Sequence, residues 1–233
     1  MKEVAPKIGK IFKTDSEETD QLPIAERVVR AVTPFAHLSY EEQLEKKQHN
    51  ALHAMRTLGN GIAKNNMNLM KFVEYQKLRR VGSVCELDYI ISSPVIDGYR
   101  NTCDFSVGIN AETNELAIGF RVASYRNEND SVAPVKNLPN VNDTMKALCV
   151  DLEKILKASK HECYDPITHE GVWSHLMMRT SVDGQCMVMV SLHPQKLEES
   201  ELKVEKDSLI NWCKSLQGGE HTISSLYVSM FDE

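Results

Sequence analysis

Two stretches of the chain alternate strictly between apolar and polar positions. In Cys103-Asp104-Phe105-Ser106-Val107-Gly108-Ile109 every odd-numbered residue is apolar, and in Leu116-Ala117-Ile118-Gly119-Phe120-Arg121-Val122 every even-numbered one is. A period of two puts all of one set on one face of a strand. Asn110, Glu112, Thr113 and Asn114 form a polar turn between the stretches. The pattern therefore predicts a hairpin with one buried face. A second hairpin is predicted from Leu176–Val182 and Gln185–Leu192, joined by Asp183-Gly184, a strong two-residue turn signal. Ile223–Met230 reads as a last strand.

The remaining periodic segments are helical. Ser39 caps a first helix, and Glu42 completes a capping box. Leu44, Ala51, Leu52, Met55 and Leu58 then recur at helical spacing, with Gly59 as the expected stop. A shorter helix is predicted over Asn68–Arg80, ending in Lys77-Leu78-Arg79-Arg80, a basic end that suits the helix dipole. Val141, Met145, Leu148, Cys149, Leu152, Ile155 and Leu156 mark the clearest helix. Leu202, Leu209, Ile210, Cys213 and Leu216 mark another, stopped by Gly218-Gly219. Helices and hairpins in alternating blocks predict an α+β fold: a mainly antiparallel sheet of two hairpins and a last strand, with flanking helices.

A chain of 233 residues holds one large domain or two small ones. Its shares of apolar (42%) and charged (26%) residues are those of a globular protein. No stretch approaches the ~18 apolar residues of a membrane span. The first residues mix Lys7, Lys10 and Lys13 with Glu17, Glu18 and Asp20 and have no apolar signal core. Residues 1–22 are expected to be a flexible tail, and the protein to be intracellular, in cytoplasm or nucleus. The six cysteines show no C-x2-C spacing, which argues against a zinc or iron–sulfur site and for reduced core thiols. The net charge of −6 runs against the basic excess of most nucleic-acid binders, so any RNA contact must be local.

No complete catalytic kit is legible. There is no G-x-G-x-x-G loop, no phosphate-binding P-loop and no H-E-x-x-H. Cys163 follows His161 too closely in the chain to make a nucleophile and its base. The unusual local feature is the turn-rich run from Ser92 to Asn101. There Pro94 and Gly98 lead into Tyr99, Arg100 and Asn101. An aromatic ring, a forked donor and an amide in succession can recognise a phosphate and a base edge. Against this, Arg100 can equally pair with Asp97 or Asp104.

Several of these segments resemble the central domain of the tRNA (uracil-5-)-methyltransferase family, with the animal T-loop enzymes nearest. The likeness lies in Thr33-Pro34, Tyr40 to Gln48, Ser93-Pro94, Gly98-Tyr99-Arg100-Asn101, Cys103-Asp104-Phe105, Val107-Gly108 and Gly119-Phe120-Arg121. It continues through Tyr164-Asp165-Pro166, Arg179-Thr180-Ser181, His193 to Leu197 and Leu226-Tyr227. The resemblance implies that residues 33–233 are an RNA-binding domain for the T-arm of tRNA. In that family a cysteine thiolate adds to C6 of a flipped-out uracil, C5 takes a methyl group from S-adenosylmethionine, and a base removes the C5 proton. The Gly-rich cofactor loop, the D-P-P-R-like segment and the S-C-N-P-like nucleophile segment of such enzymes have no match here. Neither has the N-terminal RNA-recognition motif of the animal members. The chain is accordingly expected to be a fragment without the S-adenosylmethionine domain, catalytically incomplete by itself, with no cofactor bound to it. The alternative is a stand-alone RNA-binding or structural module.

The second hairpin supplies further candidates. Trp173 precedes its first strand, Arg179 lies on the polar face of that strand, and His193 and Lys196 follow the second. The Asp183-Gly184 turn sets Trp173 close to His193. The expected RNA contacts are thus Tyr99, Arg100, Asn101, Trp173, Arg179, His193 and Lys196. For Trp173 the competing expectation is a core position.

Overall fold

The computed structural model describes residues 22–122, 131–194 and 197–231. Two compact units are present, one of Met1–Val32 with Arg100–Glu233 and one of Thr33–Tyr99. In chain order the helices are α1 (Ile24–Val32), α2 (Tyr40–Asn65), α3 (Met70–Arg79), α4 (Asp143–Ala158) and α5 (Glu199–Ser215). The strands are β1 (Thr102–Asn110), β2 (Glu115–Val122), β3 (Ser131–Pro134), β4 (Trp173–Thr180), β5 (Cys186–Leu192) and β6 (Ile223–Met230).

In the larger unit the strands form one sheet in the order β3-β2-β1-β4-β5-β6. All neighbouring pairs are antiparallel except β5 and β6. That pair is parallel because α5 carries the chain back before β6 begins. The α+β architecture expected from the hairpins is the observed one. Alternation decides which residues enter the core: Cys103, Phe105 and Val107 of β1, Leu176 and Met178 of β4, and Cys186, Val188 and Val190 of β5 are all buried. Met145, Leu148, Cys149, Leu152 and Leu156 form the apolar stripe of α4 and are buried in the same core. Burying each such side chain stabilises by roughly 1.5–3 kcal/mol. Asn142 caps α4 by accepting from the Met145 N–H at 2.9 Å. β3 stops opposite Gly119, and the next amide of β2, Ile118, donates instead to Glu153 of α4 at 2.8 Å.

The smaller unit begins with the expected capping box. Glu42 N–H donates to Ser39 Oγ at 3.3 Å, and Ser39 N–H donates to Glu42 Oε2 at 2.9 Å. The expected stop at Gly59 does not occur, since α2 continues to Asn65. Gly59 serves a close approach instead: it is buried, and a Cβ there would collide with Val84 Cγ1. Helix α1, with Val28 buried, was not anticipated from the sequence. Its nine residues are too few to establish a period securely.

Candidate nucleic-acid interface

The sheet's second face is built from the residues that alternate with the core set. The register aligns Asp104 of β1, Met177 of β4, Met189 of β5 and Tyr227 of β6 in one row across four strands. Beside it run Thr102, Arg179, Met187 and Ser225 on one side, and Ser106, His175, Ser191 and Ser229 on the other. Tyr227 is 54% exposed, and Arg179 and His175 are exposed as well. A phenol ring beside two thioethers offers a platform for a flat base. Arg179 adds a forked donor for a phosphate. Asp104 opposes phosphate locally, so the face selects where a backbone can cross it.

Arg121 and His175 lie on this face as well, His175 paired with Ser106 of β1 and Arg121 with Val132 of β3. Burial first, and then the Arg121 charge, push the His175 imidazole below its ordinary value. His175 is therefore neutral at pH 7 and acts as a hydrogen-bonding ring rather than a cation. Arg121 also lines a cleft of about 610 Å³ with Gly108, Tyr164 and Asp165. The Asp165 carboxyl is held below its usual range, chiefly by the Ile167 N–H at 2.8 Å and in smaller part by Arg121.

The residues expected to contact RNA do not converge. Arg179 and Asn101 share one end of the sheet, where the Thr180 N–H donates to the Asn101 carbonyl at 2.8 Å. Arg100 leads into the same end: its N–H donates to the Asn140 carbonyl at 2.9 Å, and its guanidinium sits 5.9 Å from the Phe120 ring centre. Among the described residues it makes no ion pair with Asp97 or Asp104. Tyr99 is exposed and is the last residue of the smaller unit.

Trp173 lies at the other end of β4, about 20 Å from Arg179 at ~3.3 Å per residue. It is 1% exposed, and its Nε1–H donates to Ser159 Oγ at 3.3 Å. The expectation that its indole stacks on a base is thus corrected, because the ring has no free face. A register shift between Trp173 and His175 also pairs Trp173 with Leu192 rather than His193. His193 is packed between Tyr164 and Phe231, with ring centres 4.9 and 5.1 Å away. Lys196 lies outside the described residues.

The sequence reading missed Arg121, His175, Met177, Met189 and Tyr227. Arg121 held a polar position in an alternating stretch, but only the strand order sets Met177, Met189 and Tyr227 side by side. Four of the thiols are made poor nucleophiles by burial, which raises Cys103 and Cys163, raises Cys149 strongly, and pushes Cys186 up to about 11. Among the described residues no three His, Cys, Asp or Glu side chains are grouped as metal ligands.

The chain is 33% identical over 204 residues to human (Homo sapiens) tRNA (uracil-5-)-methyltransferase homolog B, matching 87% of this chain and 40% of that one. It is a homologue of the tRNA (uracil-5-)-methyltransferases. The mouse (Mus musculus) homolog A is 28% identical over 222 residues, matching 95% of this chain and 36% of that protein. The homologous chain thus spans well under half the length of these relatives. No family model matches the chain. Among solved structures, a Pyrococcus abyssi tRNA (uracil-54, C5)-methyltransferase in complex with S-adenosyl-L-homocysteine aligns with a TM-score of 0.41 and 18% identity, over 60% of this chain and 29% of that one. Among the described residues no helix is long and apolar enough to cross a membrane.

Proposed function

We propose that this chain is the tRNA-recognition part of an S-adenosylmethionine-dependent methyltransferase that makes 5-methyluridine in the T-loop of tRNA. One observation carries the reading: a homologue of tRNA methyltransferases has a sheet face on which exposed Tyr227 lines up with two half-buried methionines, with exposed Arg179 in the next row. Unpaired loop bases expose flat faces and edges that such a platform can hold. Arg179 meets a phosphate, and Tyr227 stacks on a base. In the whole enzyme S-adenosylmethionine supplies the methyl group from a domain beyond this one. The raised thiols here are consistent with a nucleophile elsewhere, since the reacting species is the thiolate.

Titration of the chain with unmodified tRNA at several salt concentrations tests this reading. Arg179→Ala should weaken binding and lower the slope of log affinity against log salt by about 0.7–0.9, the contribution of one phosphate contact. The chain by itself should transfer no label from S-adenosylmethionine to that tRNA. Binding no tighter than to an unrelated RNA, or an Arg179→Ala variant with an unaltered slope, would sink the proposal.

A further inference from the structure

The smaller unit turns an unusual helix face outward. On α3, Val73 is buried and Gln76, Lys77 and Arg80 are half-buried, so positions 73, 76, 77 and 80 form the inward side. The outward side carries Phe72 at 55% exposure, Tyr75 at 54% and Leu78 at 87%, with Lys71 and Arg79 between them. This inverts the usual arrangement, in which the outward face of a helix is polar. Soluble proteins keep contiguous apolar patches small unless they bind something.

Charge indicates what the face binds. Although the chain has a net charge of −6, the stretch Arg56–Val81 holds Arg56, Lys64, Lys71, Lys77, Arg79 and Arg80 against the single acid Glu74. Two of these cations are tied to residues outside α3: Arg56 donates to the Val81 carbonyl, with Nη2 at 2.8 Å, and Lys77 donates to the Asn60 side chain. Lys64 and Lys71 are exposed. Arg79 is held against Tyr75, with its guanidinium carbon 5.3 Å from the ring centre and Nη1 donating to the phenol oxygen at 2.7 Å. A ring and a cation fixed together, with a second ring three residues away on the same helix face, suit a base and its phosphate.

We infer that the outward face of α3 is a second RNA-docking surface, one that takes an unpaired stretch of RNA by stacking bases on Phe72 and Tyr75 and neutralising phosphate with Lys71 and Arg79. The inference rests on the tRNA reading for the identity of the polymer but uses none of the sheet-face residues. Duplex RNA hides its base faces and is a poorer occupant. A protein partner would gain nothing from the local basic excess unless it were acidic.

The test uses the full chain, a short unstructured RNA and a hairpin RNA of equal length, followed by fluorescence anisotropy. Phe72→Ala and Tyr75→Ala should each weaken single-strand binding by about tenfold, within the range of one lost stacked base. Phe72→Tyr, which keeps a ring, should restore it. Lys71→Ala should lower the salt slope by about 0.7. All four side chains are exposed, and circular dichroism verifies that the variants fold. If the chain binds no RNA at all, this inference falls together with the proposed function. If binding depends on Arg179 but not on Phe72 or Tyr75, only the α3 surface is refuted. Unchanged RNA affinity with altered self-association in Phe72→Ala overturns it in favour of a second copy of the chain.

Discussion

Replacing Trp173 with Ala separates packing from recognition. The side chain is 1% exposed and belongs to the main core. Truncating a buried Trp costs about 3–5 kcal/mol through lost transfer energy and the cavity left behind. The lost Nε1–H bond to Ser159 Oγ adds about 1 kcal/mol. Ser159 is itself the hub of a small network, donating to Glu205 Oε1 at 2.9 Å and accepting from the His161 N–H at 3.1 Å. Loosening it therefore also weakens the hold on the buried carboxylate of α5. A total of about 4–6 kcal/mol, at ~2–4 °C per kcal/mol for a chain of this size, lowers the unfolding midpoint by roughly 8–24 °C. Near-ultraviolet circular dichroism during heating measures this, because Trp173 and Trp212 are the two indoles of the chain. The companion measurement is tRNA affinity at a temperature where the variant is folded, which should equal that of the parent. Trp173→Phe should recover a substantial part of the stability. A midpoint within about 2 °C of the parent, together with lost affinity, would refute the placement of Trp173 in the core.

Other consequences are local. Gly59→Ala should destabilise by about 1–3 kcal/mol because its methyl collides with Val84. Gly61→Ala, two residues on in the same helix with open space around it, should stabilise by up to about 1 kcal/mol; denaturant midpoints of the two variants should move in opposite directions. His175 is neutral in the folded state at pH values where the unfolded chain already binds a proton, because its folded value lies below the ordinary 6.5. Its contribution to stability is therefore complete above that value and declines as the pH falls below it. His175→Gln should flatten the slope of stability against pH as the pH falls below about 6.5, and an unchanged slope would dismiss the effect.

The sequence by itself determined much of this protein. Alternation in residues 103–107 set which face of β1 is buried, since side chains along a strand point to opposite sides. Toward the turn it did not, because Ile109 is exposed, and in β2 Ala117 and Gly119 are buried along with Ile118. Asp183-Gly184 marked the place of the second hairpin, although its loop takes in Val182 too and so has three residues, not the expected two, with Ser181 N–H donating to the Gln185 carbonyl. Ser39 with Glu42 set the start of α2, because caps are satisfied by residues close in the chain. The Tyr99–Asn101 run and the scattered motifs carried the resemblance that homologous proteins then supported. Where those local pieces meet was decided only by the tertiary structure. Gly59 looked like a stop and is a packing gap, because the presence of Val84 across from it cannot be read from α2. Trp173 looked like a partner for His193 at a hairpin mouth. A one-residue shift in register and a wall of core side chains enclosed it instead. Asp104, Met177, Met189 and Tyr227 became a row only when four strands took the order β1-β4-β5-β6. Strand order depends on the joint burial of many distant apolar residues, a non-local quantity that no window of the sequence contains.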